Sequence, residues 1–320
     1  MKYRTFGRAG WQVSEIGYGM WGMGAWSGSD DAESLASLQR AVELGCNFFD
    51  TAWIYGDGHS ERILARLLKQ NADKKLYVAT KIPPKNLGYP AKPEYTLEES
   101  YPPAHIEEYV RKSLENLGVE SLDLIQLHTW NDSWLEDDRW RKKLDELRSQ
   151  KLFSAIGISL NRWEPWNGLE AVKSGAIDSV QVVYNIFDQN PEDELFPACA
   201  ENNVAVIARV PFDEGSLTGN LTKETTFPED DWRSRYFNPE NLIPTVERVE
   251  KLKEILPPET SLPETALRFI LANSAVSTAI PGMRKTRHVE ANIAASDKEN
   301  LPAELLEELK KHRWVRLPKP

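Results

Sequence analysis

Asp50, Tyr55, Lys81 and His128 bring a carboxylate, a phenol, an ammonium and an imidazole to the ends of apolar runs. Asn47-Phe48-Phe49 leads into Asp50, Leu76-Tyr77-Val78-Ala79-Thr80 into Lys81, and Leu122-Asp123-Leu124-Ile125-Gln126-Leu127 into His128. An ammonium at the tip of an apolar strand is costly without a partner. Asp50 can supply one, and the cation beside Tyr55 is expected to lower the phenol pKa from its ordinary value of about 10. A phenol so tuned can give its proton to a nascent alkoxide near neutral pH, while an imidazole orients the oxygen. Together the four groups can protonate and polarise a carbonyl oxygen, which is what hydride reduction demands. Each also has a plainer reading: Asp50 as a turn cap, Tyr55 as loop packing, Lys81 reaching solvent, His128 as a structural histidine. His59, His105, His288 and His312 fit that plainer reading, whereas His128 ends a buried-looking strand just before Thr129-Trp130. No second His, Cys or carboxylate stands at ligand spacing around these residues, so a metal site is not expected.

The elements that must position these groups alternate strand and helix, the pattern of a parallel sheet. Residues 2–15 read as a β-hairpin, followed by strand candidates at 16–20, 47–50, 76–81, 122–128, 154–159, 179–184, 204–209 and 276–280. That is the number a closed barrel needs, and the tips of parallel barrel strands share one face, where active sites are built. Amphipathic stretches such as Asp31 to Leu44, Ser60 to Lys69 and His105 to Leu117 carry the helical period, with Gly45 and Gly118 at left-handed cap positions. The expectation is an α/β fold, a single (β/α)8 barrel domain over residues 1–320, with an N-terminal hairpin and a C-terminal extension. Two connections, 82–103 and 211–240, are too long for simple loops and overhang the strand tips as lids.

In this order and at these separations, the residues resemble those of aldo-keto reductases. The catalytic tetrad of that family, Asp, Tyr, Lys and His, matches Asp50, Tyr55, Lys81 and His128. Further matches are Gly45-Cys46-Asn47-Phe48-Phe49-Asp50-Thr51-Ala52, Gly157-Ile158-Ser159, Gln181-Val182-Val183-Tyr184-Asn185 and Ile280-Pro281-Gly282-Met283-Arg284. The resemblance implies reduction of a small-molecule aldehyde or ketone to an alcohol with NADPH/NADP as cofactor. It places Ser159 and Gln181 at the nicotinamide carboxamide, with Leu160 at the third position and Asn161 beside it. Arg209 stands where relatives stack a Tyr on the nicotinamide, Pro211 is a further cofactor-binding position, and Phe212 and Leu217 fall in a belt over the pyrophosphate that runs from Phe212 to Gly219. Some relatives are nucleotide-sensing β-subunits of potassium channels, which is the alternative reading.

Toward the C-terminus, Gly282-Met283-Arg284-Lys285-Thr286-Arg287-His288 is expected to open the last barrel helix, with Asn292 further along it. Cations at a helix N-terminus are unfavourable unless an anion binds there. Arg284, Lys285 and Arg287 therefore predict a preference for the 2′-phosphate of NADP, and His288 stands where relatives carry Gln or Arg. Gly17-Tyr18-Gly19-Met20-Trp21-Gly22 matches G-x-G-x-x-G literally, but Gly24, Gly28 and Ser29-Asp30 postpone the helix that a dinucleotide fingerprint needs. These glycines are expected to let the backbone approach the cofactor. Trp21, Trp53 and Trp130 flank the strand tips and are expected to form an aromatic substrate wall.

With 41% hydrophobic and 28% charged residues, the chain can build a large core and a polar surface. A net charge of −10 argues against a nucleic-acid partner. No apolar run reaches the roughly 18 residues of a membrane span, and the N-terminus lacks a signal-peptide core. Two cysteines, Cys46 and Cys199, exclude a disulfide framework and point to a cytoplasmic protein. Neither the substrate nor the oligomeric state has a readable code.

Overall fold

The computed structural model describes residues 1–24 and 29–316, so Gly28 and the last four residues of the C-terminal extension lie outside the described residues. The hairpin forms as expected: β1 (Tyr3–Phe6) pairs antiparallel with β2 (Trp11–Ser14). Phe6 stacks on Phe48 at 5.4 Å and, with Val13, joins Ala79, Leu124, Ala155, Ala205 and Ile207 in one apolar cluster. The hairpin thus plugs the barrel at the end opposite the strand tips.

Eight parallel strands follow: β3 (Tyr18–Gly19), β4 (Phe48–Asp50), β5 (Tyr77–Ile82), β6 (Leu122–Leu127), β7 (Phe153–Ser159), β8 (Ser179–Val183), β9 (Ala205–Arg209) and β10 (Val276–Ala279). They pair in sequence order, as right-handed βα units require. The circle closes where Gly17 N–H donates to Ala279 O at 2.8 Å and Gly19 N–H to Pro281 O at 3.0 Å. A Cβ on Gly19 would lie 2.6 Å from the Ile280 carbonyl oxygen, and one on Gly17 would lie 2.8 Å from Thr278 Oγ1. The close approach these two glycines permit in the structure is between the first barrel strand and the last. The first barrel helix begins only at Asp31, capped by Asp30, whose carboxylate accepts from Glu33 N–H at 2.7 Å.

Both long connections carry structure of their own. Residues 82–103 contain the short helix Leu97–Ser100, held by a reciprocal Thr96–Glu99 capping box. Residues 211–240 contain a tight turn, Asp213–Thr218, and the short helix Arg233–Tyr236. Two longer helices, Pro239–Ile255 and Leu262–Ala272, then precede β10. Helix Thr286–Asp297 packs beside helix Asp31–Glu43, and helix Ala303–Lys310 leads into a C-terminal arm. That arm returns to the barrel mouth, where Trp314 N–H donates to Phe187 O at 2.9 Å. Cys46 and Cys199 are both free and buried. No helix among the described residues is long and apolar enough to cross a membrane.

Candidate active site

Asp50, Lys81 and Gln126 sit on three neighbouring strands, with Lys81 and Gln126 directly paired across β5 and β6. Lys81 Nζ, fully buried, donates to Asp50 Oδ1 at 2.5 Å and to the Thr51 carbonyl at 2.7 Å. The other Asp50 oxygen accepts from Gln181 Nε2 at 2.7 Å and Gln126 Nε2 at 3.2 Å. Both carboxylate oxygens are therefore hydrogen-bonded, which helps to keep a charge pair inside a barrel. The third direction of the ammonium is toward Tyr55, whose hydroxyl oxygen lies 3.5 Å from Nζ. His128 meets the Tyr55 ring edge-on at 5.7 Å. The structure brings the four residues together around one point, Lys81 at its floor.

The electrostatics differ from expectation in one respect. Burial raises the Tyr55 phenol pKa; Lys81 and Arg209 pull it down and Asp50 adds to the rise, so the net shift is upward rather than downward. Desolvation is a tertiary quantity, and here it exceeds the pull of both cations. Tyr55 is therefore protonated at neutral pH, and the same cations favour the phenolate only once a proton has left. His128 is held well below the usual imidazole range, first by burial and then by Lys81 and Arg209. It is neutral, with one donor and one acceptor nitrogen.

Along the proposed cofactor track, Ser159 is buried at the tip of β7 and Gln181 is engaged with Asp50. Asn161 makes a local turn, accepting from Trp163 N–H at 3.1 Å and donating to Glu164 at 3.1 Å. Arg209 Nη2 donates to the Leu160 carbonyl at 3.0 Å, while its Nε is buried with no hydrogen-bond partner among the described residues. Phe212 is half-buried and Pro211 buried; Leu217 and Met283 are core residues, so only their main chains could reach a ligand. The Met283 carbonyl already accepts from Tyr18 Oη at 2.6 Å and from Ser37.

The cationic segment sits slightly off its expected place. The helix starts at Thr286, with Lys285 as its N-cap and Arg284 before it, and a further helix follows later in the chain. Arg284 packs its stem against Gly22, whereas Lys285, Arg287 and His288 are exposed. Glu290 is taken by Arg40 at 2.9 Å, and neither Lys285 nor Arg287 pairs with a carboxylate among the described residues. Asn292 is buried on the same helix.

Of the three tryptophans, Trp21 stands 39% exposed at the mouth, 6.3 Å from Trp232 of the second long connection. Trp53 turns outward, edge-on to Tyr109 at 4.7 Å on helix Pro103–Leu117. Trp130 is 1% exposed, wedged against Trp134 and Trp140 with its Nε1 on Asp132 at 2.7 Å. Its expected place in a substrate wall is corrected: it is the core beneath the loop, because three indoles bury one another there.

Sequence reasoning passed over Gln126, although a glutamine two positions before His128 in an apolar strand faces the same way. It also passed over Tyr89, on the 82–103 loop, whose hydroxyl lies 3.4 Å from His128 Nδ1. A buried ionic cluster beside the mouth was equally unforeseen. There Asp213 accepts from Tyr236 Oη at 2.7 Å and also from Arg162, Arg316 and Ser216, and Arg162 reaches Asp188 at 2.6 Å. Its members come from three separate connections and the C-terminal arm, so no local signal announces it.

Comparison with known proteins agrees with this geometry. The sequence profile of the Aldo/keto reductase family matches residues 15–313. An NADP(+) aldo-keto reductase of Schizosaccharomyces pombe, yakc, is 30% identical over 88% of this chain and 84% of its own. An NADH-specific methylglyoxal reductase of Escherichia coli is 27% identical over 92% and 93%. An aldo-keto reductase of Bacillus halodurans, solved in its holo form, superposes with a TM-score of 0.77 at 28% identity, covering all of both chains. With the barrel, the strand-tip residues and these matches in agreement, the chain belongs to the aldo/keto reductase family of oxidoreductases, whose chemistry is carbonyl reduction.

Proposed function

We propose that this chain, acting as one barrel domain in the cytoplasm, reduces an aldehyde or ketone to an alcohol with NADPH and uses Tyr55 as the proton donor. The observation that carries the reading is the Lys81 ammonium, fixed by Asp50 on one side and lying 3.5 Å from the Tyr55 hydroxyl on the other, beside a neutral His128. When bound, the nicotinamide supplies the hydride. Neutral His128 donates a hydrogen bond to the carbonyl oxygen and holds it beside Tyr55. The oxygen takes the Tyr55 proton as its charge develops, and the phenolate left behind is stabilised by Lys81. Asp50 holds Lys81 in place, itself held by Gln126 and Gln181.

The chain's own features fit a dinucleotide along the mouth. Arg209 offers a buried, unanswered N–H, the space around a Cβ at Gly282 is open, and Lys285 and Arg287 present unneutralised charge at a helix N-terminus. These last two, with Arg284, support NADP over NAD. Each charge-assisted hydrogen bond to a 2′-phosphate contributes about 1.5–3 kcal/mol, so two contacts favour NADP by roughly 10²- to 10⁴-fold. The relatives divide on this point, one named for NADP(+) and one for NADH, which makes these cations the feature to test. Consumption of NADPH and NADH is to be followed across a panel of aldehydes and ketones. Dissociation constants for both cofactors are measured alongside, in the wild type and in alanine variants of Arg284, Lys285 and Arg287. Equal affinities in the wild type would reject the preference, and no turnover with any carbonyl would reject the reading.

A further inference from the structure

His128 stands between two phenols. Tyr55 meets its ring at 5.7 Å and an interplanar angle of 77°, and Tyr89 meets it at 5.1 Å and 81°. Of its two nitrogens, Nδ1 faces the Tyr89 hydroxyl at 3.4 Å, a long hydrogen bond of the kind that shortens when a site fills. A neutral imidazole has one N–H, and its hydrogen-bond partner decides which nitrogen carries it. A phenol O–H donating to Nδ1 leaves the proton on Nε2. That is the tautomer His128 needs if it is to donate to a substrate oxygen.

The loop that carries Tyr89 is well anchored. Thr129 N–H donates to Tyr101 Oη at 2.8 Å, Trp134 Nε1 to the Tyr95 carbonyl at 2.7 Å, and Asn131 Nδ2 to the Lys92 carbonyl at 3.2 Å. These bonds tie residues 92–101 to the segment just after His128, so the loop and the histidine share one frame. Tyr89 itself remains 44% exposed, which puts its ring at the rim of the site. Lys81 and Arg209 are the charged groups that act on the imidazole, and both disfavour a second proton on it.

We propose that Tyr89 is a positioning residue: its hydroxyl donates to His128 Nδ1, fixing the Nε2–H tautomer and the ring orientation that hold a carbonyl oxygen beside Tyr55. This rests on the role given to His128 above. The loop long enough to shape the substrate pocket thereby also sets the catalytic histidine, so substrate contacts on the loop are felt in turnover.

The test is Tyr89→Phe, which removes one hydroxyl and keeps the ring. With ¹⁵N-histidine label, and the His128 signals assigned by their loss in His128→Asn, wild-type Nδ1 is expected to resonate as a non-protonated, hydrogen-bonded nitrogen. It should move upfield in Tyr89→Phe, toward the protonated range, as the Nδ1–H tautomer gains population. Turnover is expected to fall about 3- to 10-fold, the worth of one neutral hydrogen bond, with KM for a small aldehyde and affinity for NADPH nearly unchanged. A protonated Nδ1 in the wild type, or an Nδ1 resonance indifferent to Tyr89→Phe, would overturn the assignment of Tyr89 and leave the tetrad standing. Full turnover in His128→Asn would instead overturn the role of His128, on which the proposal depends.

Discussion

The Asp50–Lys81 pair and the Arg162–Asp188–Asp213–Arg316 cluster are both buried at the mouth of the barrel, yet they settle their charge in different ways. In the first, one carboxylate faces one ammonium, and the remaining bonds come from the neutral amides of Gln126 and Gln181 and the Thr51 carbonyl. Gln126 Oε1 alone stays buried without a hydrogen-bond partner among these groups, and burial moves the pKa values of the neighbouring Tyr55 and His128 in opposite directions, up and down. In the second, two guanidinium groups serve three carboxyls, for Glu214 also approaches Arg162 at 3.6 Å. Although burial works the other way, Arg316 and Arg162 hold Asp213 below the usual carboxylate range. Burial pushes Glu214 up to about 7, with Arg162 opposing and Asp213 adding to the rise. The balanced pair lies beside two groups that burial keeps in their neutral forms, whereas the acid-rich cluster holds its surplus as a titratable carboxyl.

The sharpest way to break this comparison is at Tyr55. Tyr55→Phe is expected to cut turnover about 10²- to 10⁴-fold, with affinity for NADPH and melting temperature close to wild type, because only the donor is lost. Retention of more than a tenth of wild-type turnover in a chemistry-limited assay would remove Tyr55 from the role of acid. At the other cluster the expected effect is on stability. Asp213→Asn leaves Arg162 and Arg316 short of a countercharge and should destabilise the fold by about 3–5 kcal/mol in urea unfolding. A loss under about 1 kcal/mol would mean that the cluster does not hold the mouth together.

Glu214 gives a pH dependence with a definite sign. Its carboxyl keeps a proton up to about 7 in the folded chain against an ordinary 4.5, so between those values the folded state binds more protons than the unfolded one. Stability should therefore fall as pH rises from about 4.5 to 7, by up to about 3 kcal/mol from this group. Compared with Glu214→Gln in denaturant titrations at pH 5 and pH 8, the wild type should lose ground at the higher pH. An identical pH trend in both proteins would place Glu214 in water.

The smallest effect concerns the second long connection. Its polar composition and Gly215 and Gly219 predict that residues 213–240 order only when cofactor binds. The structure divides that segment: Asp213, Ser216 and Leu217 are buried and tied to the cluster, whereas 220–231 are mostly exposed. Hydrogen exchange should find 213–218 protected even without NADPH, and 220–231 protected only with it. Uniform exchange across the whole segment would erase the distinction.

The strand tips were legible because the signal is local: a polar residue closing an apolar run is a statement about a few neighbours, and parallel strands put all such endings on one face. From Asp50, Lys81 and His128 the barrel and its active face follow, and the order of β3 to β10 matches the runs almost residue for residue. What stayed hidden depends on distant segments meeting. Trp130 is core because Trp134 and Trp140 close over it, and the glycines at 17 and 19 face the last barrel strand more than 250 residues later. Arg316 finds Asp213 across 103 positions, and Tyr89 reaches His128 from a loop with no period to read. The direction of the Tyr55 shift belongs to the same group. Sequence can name the cation beside a phenol, but how much water the fold removes from that phenol is settled only when every loop is in place, and here desolvation outweighs the cation.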